Sequence, residues 1–224
     1  MDNFSQTDKE DYHFKFKVLV CGDVHCGKTT FLDSLSQENG KMIDLEASEE
    51  ISERTCLHMN NHFLFKATYW ECPGKDRIIK FISNYSLGSN IVIVMFDFTK
   101  RSSLDKAERI LKELEICDIP IKILVGNKID LVGTKKNLSD IVPQVEADKL
   151  ARAYKIDFFP CNSTFKDAIK TIYDHQMKSI NDIIGKNIDL ERFIQKNIMV
   201  GKRVFTHPTF LKSLKEGSYF EKNK

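Results

Sequence analysis

Gly22-Asp23-Val24-His25-Cys26-Gly27-Lys28-Thr29 follows the pattern G-x-x-x-x-G-K-[ST]. An apolar run, Val18-Leu19-Val20-Cys21, precedes it, and a helical stretch from Thr29 to Ser36 follows. A loop between a buried strand and a helix can point its backbone N–H groups at a phosphate held at the helix N-terminus. By the mechanism of this motif, Lys28 reaches the β- and γ-phosphates and the Thr29 hydroxyl binds Mg²⁺. The spacing alone occurs by chance, and the flanking strand and helix make it a nucleotide site. The candidate phosphate-binding residues are therefore Gly22, Val24, His25, Cys26, Gly27, Lys28, Thr29 and Thr30.

Working outward, strands and helices alternate. Phe14 to Cys21 reads as a strand that becomes fully buried. Residues 37–50 are polar, acidic and contain a glycine, and read as a loop. Glu53 to His58 and His62 to Trp70 flank Asn60-Asn61, a hairpin turn signal. Ile91 to Phe96 is continuously apolar, as in a parallel strand covered on both faces. Ser103 to Ile116 is a helix with Leu104, Ile110, Leu111 and Leu114 at helical spacing. Ile121 to Val125 is a second buried strand, Pro143 to Tyr154 a helix with proline in its first turn, Ile156 to Phe159 a short strand, and Thr164 to Ile184 a long last helix. This order predicts an α/β fold with a mostly parallel sheet and helices on both faces, with ligands at the carboxyl ends of the strands.

The 224 residues fit one such domain with an appendage. A net charge of +2 gives no field suited to a nucleic-acid partner. The six cysteines form no C-x-x-C pair and lie in or beside apolar runs, the pattern of reduced cytosolic thiols rather than a disulfide framework or zinc site. No apolar run reaches membrane-spanning length, and Met1 to Tyr12 is too polar for a signal peptide.

Ile121 to Val125 runs into Gly126-Asn127-Lys128-Ile129-Asp130, which contains N-K-x-D. A carboxylate only accepts hydrogen bonds, and guanine offers two adjacent donors, N1–H and the 2-amino group. Adenine lacks N1–H, so it would leave Asp130 unpaired. Lys128 can lie across the base and Asn127 can tie this loop to the first. N-K-x-D by itself is weak, but about a hundred residues past the phosphate loop it is strong. Asn162-Ser163-Thr164 follows the last strand and reads as a helix N-cap; resemblance to GTPases, in which this loop presents N–H to the guanine carbonyl, gives it a second role, and both can hold.

On these residues the chain resembles the Ras-superfamily small GTPases, the Rab branch most of all. Phe96-Asp97-Phe98-Thr99-Lys100-Arg101-Ser102-Ser103-Leu104 is similar to that family's Y-D-I-T-x-x-x-S-F stretch, and Val125 to Leu131 matches it residue for residue. Phe158-Phe159 precedes the last loop as in Rabs, and Trp70 stands where Rabs carry the tryptophan of W-D-T-A-G-Q-E-R. The resemblance implies a P-loop G domain over residues 14–184, with a six-stranded, mostly parallel sheet. It also implies GTP/GDP and Mg²⁺ as ligands, and effector, exchange-factor and activating proteins bound through two switch segments. A role in vesicle trafficking or signalling is implied in turn.

The departures concern turnover. Trp70-Glu71-Cys72-Pro73-Gly74-Lys75-Asp76-Arg77 replaces W-D-T-A-G-Q-E-R. Glu71 keeps the charge of the family's Mg²⁺-holding aspartate, and Gly74, whose N–H senses the γ-phosphate, is kept. The glutamine that orients the attacking water is Lys75, a donor without an acceptor, which could instead pair with the γ-phosphate. Val24 and His25 replace small residues and crowd the space of the catalytic glutamine and of an arginine finger. A substitute acid–base role for His25 is the sharper reading, and a rim histidine the blander one. In the first switch, Ser48 is the remaining hydroxyl for the metal, and Gly40 stands near the aromatic that covers the base. The expected function is a guanine-nucleotide switch with weak GTP hydrolysis, in the cytoplasm and peripheral at membranes; the alternative is a pseudo-GTPase scaffold. A third reading, a P-loop ATPase or kinase, is disfavoured by Asn127-Lys128-Ile129-Asp130.

Residues 1–13 read as a flexible leader and 185–224 as a C-terminal extension. The sequence places no cysteine after Cys161, so no C-terminal prenyl anchor is expected. Leu190, Phe193, Ile194, Ile198 and Met199 have amphipathic spacing. They suggest a helix packed on the domain, or else one for a membrane surface or partner.

Overall fold

The computed structural model describes residues 14–39, 43–47, 51–60, 63–134, 137–186 and 199–200. Residues 1–13 of the expected leader, Gly40 and Ser48 of the first switch, and Leu190, Phe193, Ile194 and Ile198 of the extension lie outside them.

The strands are β1 (Phe14–Gly22), β2 (Ile43–Ala47), β3 (Ser52–Asn60), β4 (Phe63–Glu71), β5 (Ile91–Asp97), β6 (Ile121–Asn127), β7 (Asp157–Pro160) and β8 (Met199–Val200). The helices are α1 (Lys28–Asn39), α2 (Asp76–Ile79), α3 (Ile82–Tyr85), α4 (Arg101–Glu113), α5 (Gln144–Tyr154) and α6 (Lys166–Lys186). One sheet runs in the order β2-β3-β4-β1-β5-β6-β7, with β8 paired to β1. From β4 to β7 the neighbours are parallel. The six expected strands are all present, and β2 and β8 lengthen the sheet beyond them.

Every residue of β5 is buried, and its side chains alternate between two cores. Ile91, Ile93 and Met95 join Phe31, Leu35, Ile169 and Ile172 on the α1 and α6 side. Val92, Val94 and Phe96 join Leu104, Ile110, Ala147 and Ala151 on the α4 and α5 side. A continuously apolar strand is thus the sequence signature of a layer covered twice.

Two expectations change. Residues 37–50 are not all loop, because α1 runs to Asn39 and Ile43–Ala47 pairs antiparallel with β3. This acidic strand forms the sheet's edge, where one-sided pairing tolerates charge. Met199 belongs to no helix but pairs opposite Lys15 as part of β8. The β1–β5 ladder starts at Val18, Asn90 bonds the main chain of Lys17 just before it, and Met199–Val200 pairs with Phe14 and Lys15. No helix among the described residues is long and apolar enough to cross a membrane.

The parallel register brings the ends of β1, β4, β5, β6 and β7 to one edge, and all three sequence motifs emerge there. Glu71 falls opposite Val20, and Asn127 opposite Asp97.

Candidate functional site

The phosphate-loop candidate leaves β1 through Gly22 and enters α1 through Gly27. Gly22 takes φ +148° and Gly27 φ +94°, angles that side chains rarely adopt. A Cβ on Gly27 would also lie 2.2 Å from Asn127 Nδ2. His25 takes φ +60° without being glycine, which costs a residue with a Cβ about 1–2 kcal/mol. Its side chain and those of Val24, Thr29 and Thr30 are exposed. Lys28 is buried, its ammonium curled into the loop and donating to the Asp23 carbonyl at 2.7 Å.

Cys26 is fully buried with its sulfur turned inward, so only its main chain can face a ligand. Its sulfur lies 3.9 Å from Lys28 Nζ. Burial pushes the Cys26 thiol up, more than the nearby Lys28 ammonium pulls it down. Cys72, behind the loop after β4, is pushed up to about 12, again by burial. These thiols stay protonated and inert at neutral pH.

Asn127 joins three loops. Its Nδ2 donates to the Cys26 carbonyl at 2.8 Å, and its Oδ1 accepts from the Ser163 N–H at 2.9 Å. Ser163 is held from the other side too, since Ser34 Oγ donates to its carbonyl at 2.6 Å. Lys128 Nζ donates to the His25 carbonyl at 2.6 Å and pairs with Asp97 Oδ2 at 2.7 Å. Asp130 is exposed, and its carboxylate has no partner among the described residues, an acceptor open to two adjacent donors. Asn162 Oδ1 accepts from the Thr164 N–H at 3.0 Å and from its hydroxyl at 2.7 Å, an Asx turn in the loop before α6 rather than its N-cap, because the helix starts only at Lys166. The N–H groups of Ser163 and Thr164 are therefore engaged within the protein rather than aimed outward.

Thr29 Oγ1 donates to Glu71 Oε1 at 2.6 Å. Two hard oxygens meeting at the rim of a phosphate loop suit Mg²⁺, which prefers one or two protein oxygens and completes its shell from phosphate and water. Among the described residues, no three His, Cys, Asp or Glu side chains gather into a metal cage of their own. Gly74 lies against the loop, and Lys75 after it is exposed.

Several contributors carry no motif of their own. Asp97 holds Lys128 while accepting from Thr99 N and Oγ1 at 2.8 and 2.7 Å. Its only signal is its place in the Phe96–Leu104 stretch. Asp23 is clamped by Lys100 at 2.5 Å and by Lys106 at 2.8 Å. Burial alone would raise the Asp23 carboxyl, but these two ammonium groups hold it below its ordinary value.

The Ras-family model matches residues 17–182. The chain is 26% identical to the Ras-related protein RABC2b of Arabidopsis thaliana, covering 80% of this chain and 86% of that protein. It is 30% identical to the Ras-related protein Rab-25 of Oryctolagus cuniculus (80% and 83%) and 27% identical to the Ras-related protein Rab11A of Lotus japonicus (77% and 75%). The chain belongs to the Ras family of P-loop GTPases, and within it to the Rab-like proteins. It is a small GTPase of the GTP-binding switch type, a family that binds guanine nucleotide, typically with Mg²⁺.

Proposed function

We propose that this chain binds GTP and GDP through the site just described and hydrolyses GTP slowly. The observation that carries the binding is Asn127, whose one side-chain amide ties the phosphate loop to the base loop and to Ser163. In this reading Gly22, Val24, His25, Cys26, Gly27, Lys28, Thr29 and Thr30 cradle the phosphates, and Lys28 and the α1 N-terminus supply positive charge. Asp130 accepts from guanine N1–H and the 2-amino group, and Lys128, braced by Asp97, lies across the base. The Asn162, Ser163 and Thr164 loop walls the base pocket. Thr29 and Glu71 hold Mg²⁺, with Ser48 as the further hydroxyl from the first switch. Bound there, Mg²⁺ neutralises charge on the β- and γ-phosphate oxygens.

Slow turnover rests on Lys75. The position that should accept a proton-bearing water and orient it carries three N–H donors and no acceptor. Val24 is exposed at the loop's crest and adds bulk next to Gly74. Regulators and effectors would engage the switch segments, in a trafficking or signalling role at the cytoplasmic face of a membrane. The extension of residues 185–224 is an additional contact surface for a partner or for that membrane. The second reading, a scaffold that keeps the fold without turnover, is favoured by the same Lys75.

Mass spectrometry of the nucleotide released from purified protein, followed by a single-turnover assay with Mg²⁺, tests both. GDP or GTP should be released, with a hydrolysis rate below about 3 × 10⁻⁴ s⁻¹, the scale of an unassisted Ras protein. A folded protein that carries and binds no guanine nucleotide would leave only the scaffold. A faster rate would refute the role given to Lys75.

A further inference from the structure

Lys106, in the second turn of α4, reaches away from its own helix into the gap between the phosphate loop and the segment after β4. Its ammonium has three donors and meets three acceptors from three places: Asp23 Oδ1 at 2.8 Å, the Gly74 carbonyl at 2.8 Å and Asp76 Oδ1 at 3.0 Å. Lys100 holds the other Asp23 oxygen, and Arg109 lies 3.3 Å from Asp76. The side chains of Asp23 and Lys106 are 6% and 11% exposed, while Asp76 is open to solvent. The pairing that matters is thus the buried one, because removing either partner of a buried pair strands a charge.

The two segments are in main-chain contact at the same place. A Cβ on Gly74 would lie 2.2 Å from the Val24 nitrogen and 2.7 Å from the Asp23 oxygen, so glycine alone permits this approach. Pro73 restricts the backbone on one side of Gly74, and the Lys106-bound carbonyl fixes it on the other. Ile78, Ile79 and Ile82 then bury the following helices in the core with Leu104 and Ile110. The cavity left beneath is only about 10 Å³.

In GTPases of this family, the γ-phosphate and its metal hold the switch loops, which are released on hydrolysis. The three protein acceptors at Lys106 match the three donors of its ammonium. We propose that Lys106 is a positioning residue that pins Gly74 and the start of α2 to the phosphate loop whichever nucleotide is bound. The second switch is thereby held by the protein's own ammonium and responds weakly to the γ-phosphate. A partner that reads residues 72–82 then meets the same surface in the GDP and GTP forms and binds both with similar affinity, since affinity differs between two states only through contacts that differ between them. This inference rests on the guanine-nucleotide reading above.

The test is amide hydrogen exchange across residues 72–82 in full-length protein, nucleotide-free and loaded with GDP or with GTPγS, after loading is verified by nucleotide release. In the wild type, the GDP and GTPγS forms should exchange within about twofold of each other. Lys106→Met, which keeps the length and leaves Asp23 its Lys100 partner, should raise exchange there at least tenfold with GDP and much less with GTPγS. Lys106→Arg should restore most of the protection, and exchange in β5 should stay unchanged as the internal control. A wild type whose two loaded forms differ more than tenfold refutes the pin, and that comparison decides the matter even if Lys106→Met does not fold. So does a folded Lys106→Met with unchanged exchange. Failure to load overturns the nucleotide reading instead, and the nucleotide-free comparison of wild type with Lys106→Met still tests the pin.

Discussion

The side-chain amide of Asn127 donates to the main-chain carbonyl of Cys26 at 2.8 Å, across 101 residues of chain. Asn127 is 2% exposed and also accepts from the Ser163 N–H. Asn127→Ala therefore leaves a carbonyl and an N–H without partners, at about 1–3 kcal/mol each where buried. The expected result is GDP release at least tenfold faster and a melting temperature lower by several degrees, read by stopped-flow fluorescence and calorimetry.

Glu71 and Thr29 share one hydrogen bond at the rim of the loop. Glu71→Gln keeps the shape and removes the charge. The Mg²⁺ concentration needed to slow GDP release should rise by roughly ten- to a hundredfold, one lost charge-assisted contact being worth roughly 1.5–3 kcal/mol. The release rate in EDTA should not change. A change in EDTA as large as that with Mg²⁺ would mean that Glu71 acts on the fold and not on the metal.

Lys75 and Val24 are both exposed, so exchanging them should alter stability by no more than about 0.5 kcal/mol. Lys75→Gln should raise single-turnover hydrolysis at least tenfold, and adding Val24→Gly should raise it further. No change in either variant, with nucleotide still bound, would support the scaffold reading.

Five of the six cysteines are buried and only Cys117 is half-exposed. Burial raises the thiols of Cys21, Cys26, Cys56, Cys72 and Cys161. A raised folded-state value keeps its full stabilisation below the unfolded thiol value of about 8.5. That stabilisation is lost as the pH climbs from there toward the folded values. Urea unfolding at pH 7.5, 8.5 and 9.5 should show stability falling across the last interval, by up to about 1.4 kcal/mol per pH unit for each thiol that ionises only on unfolding. Native protein should react with a thiol reagent at Cys117 first, and with the buried five only on unfolding.

Much of the fold was legible because its signals are local. β5 announces a doubly covered strand by seven buried residues in a row, and the two motifs sit where strands end. What escaped depends on pairing. Ile43–Ala47 looks like an acidic loop because an edge strand needs little apolar surface, and Met199–Val200 is too short to show any period. Lys106 sits on a helix face with Ser103, Ala107 and Ile110, where a lysine ordinarily reads as solvated. Only the fold shows that Asp23 and Gly74 wait across the gap. In the site, Asn127, Lys128 and Asp130 were named from their motif, whereas Asp97 supports them from the neighbouring strand through the register of β5 and β6.

The central claim, that this site binds guanine nucleotide, is tested most directly by displacement of a fluorescent GDP from the full-length protein in Mg²⁺. The account predicts micromolar or tighter binding, displaced by unlabelled GDP and GTP but not by a hundredfold excess of ATP. Folded protein that binds no labelled GDP, or that releases it as readily to ATP as to GTP, would contradict it.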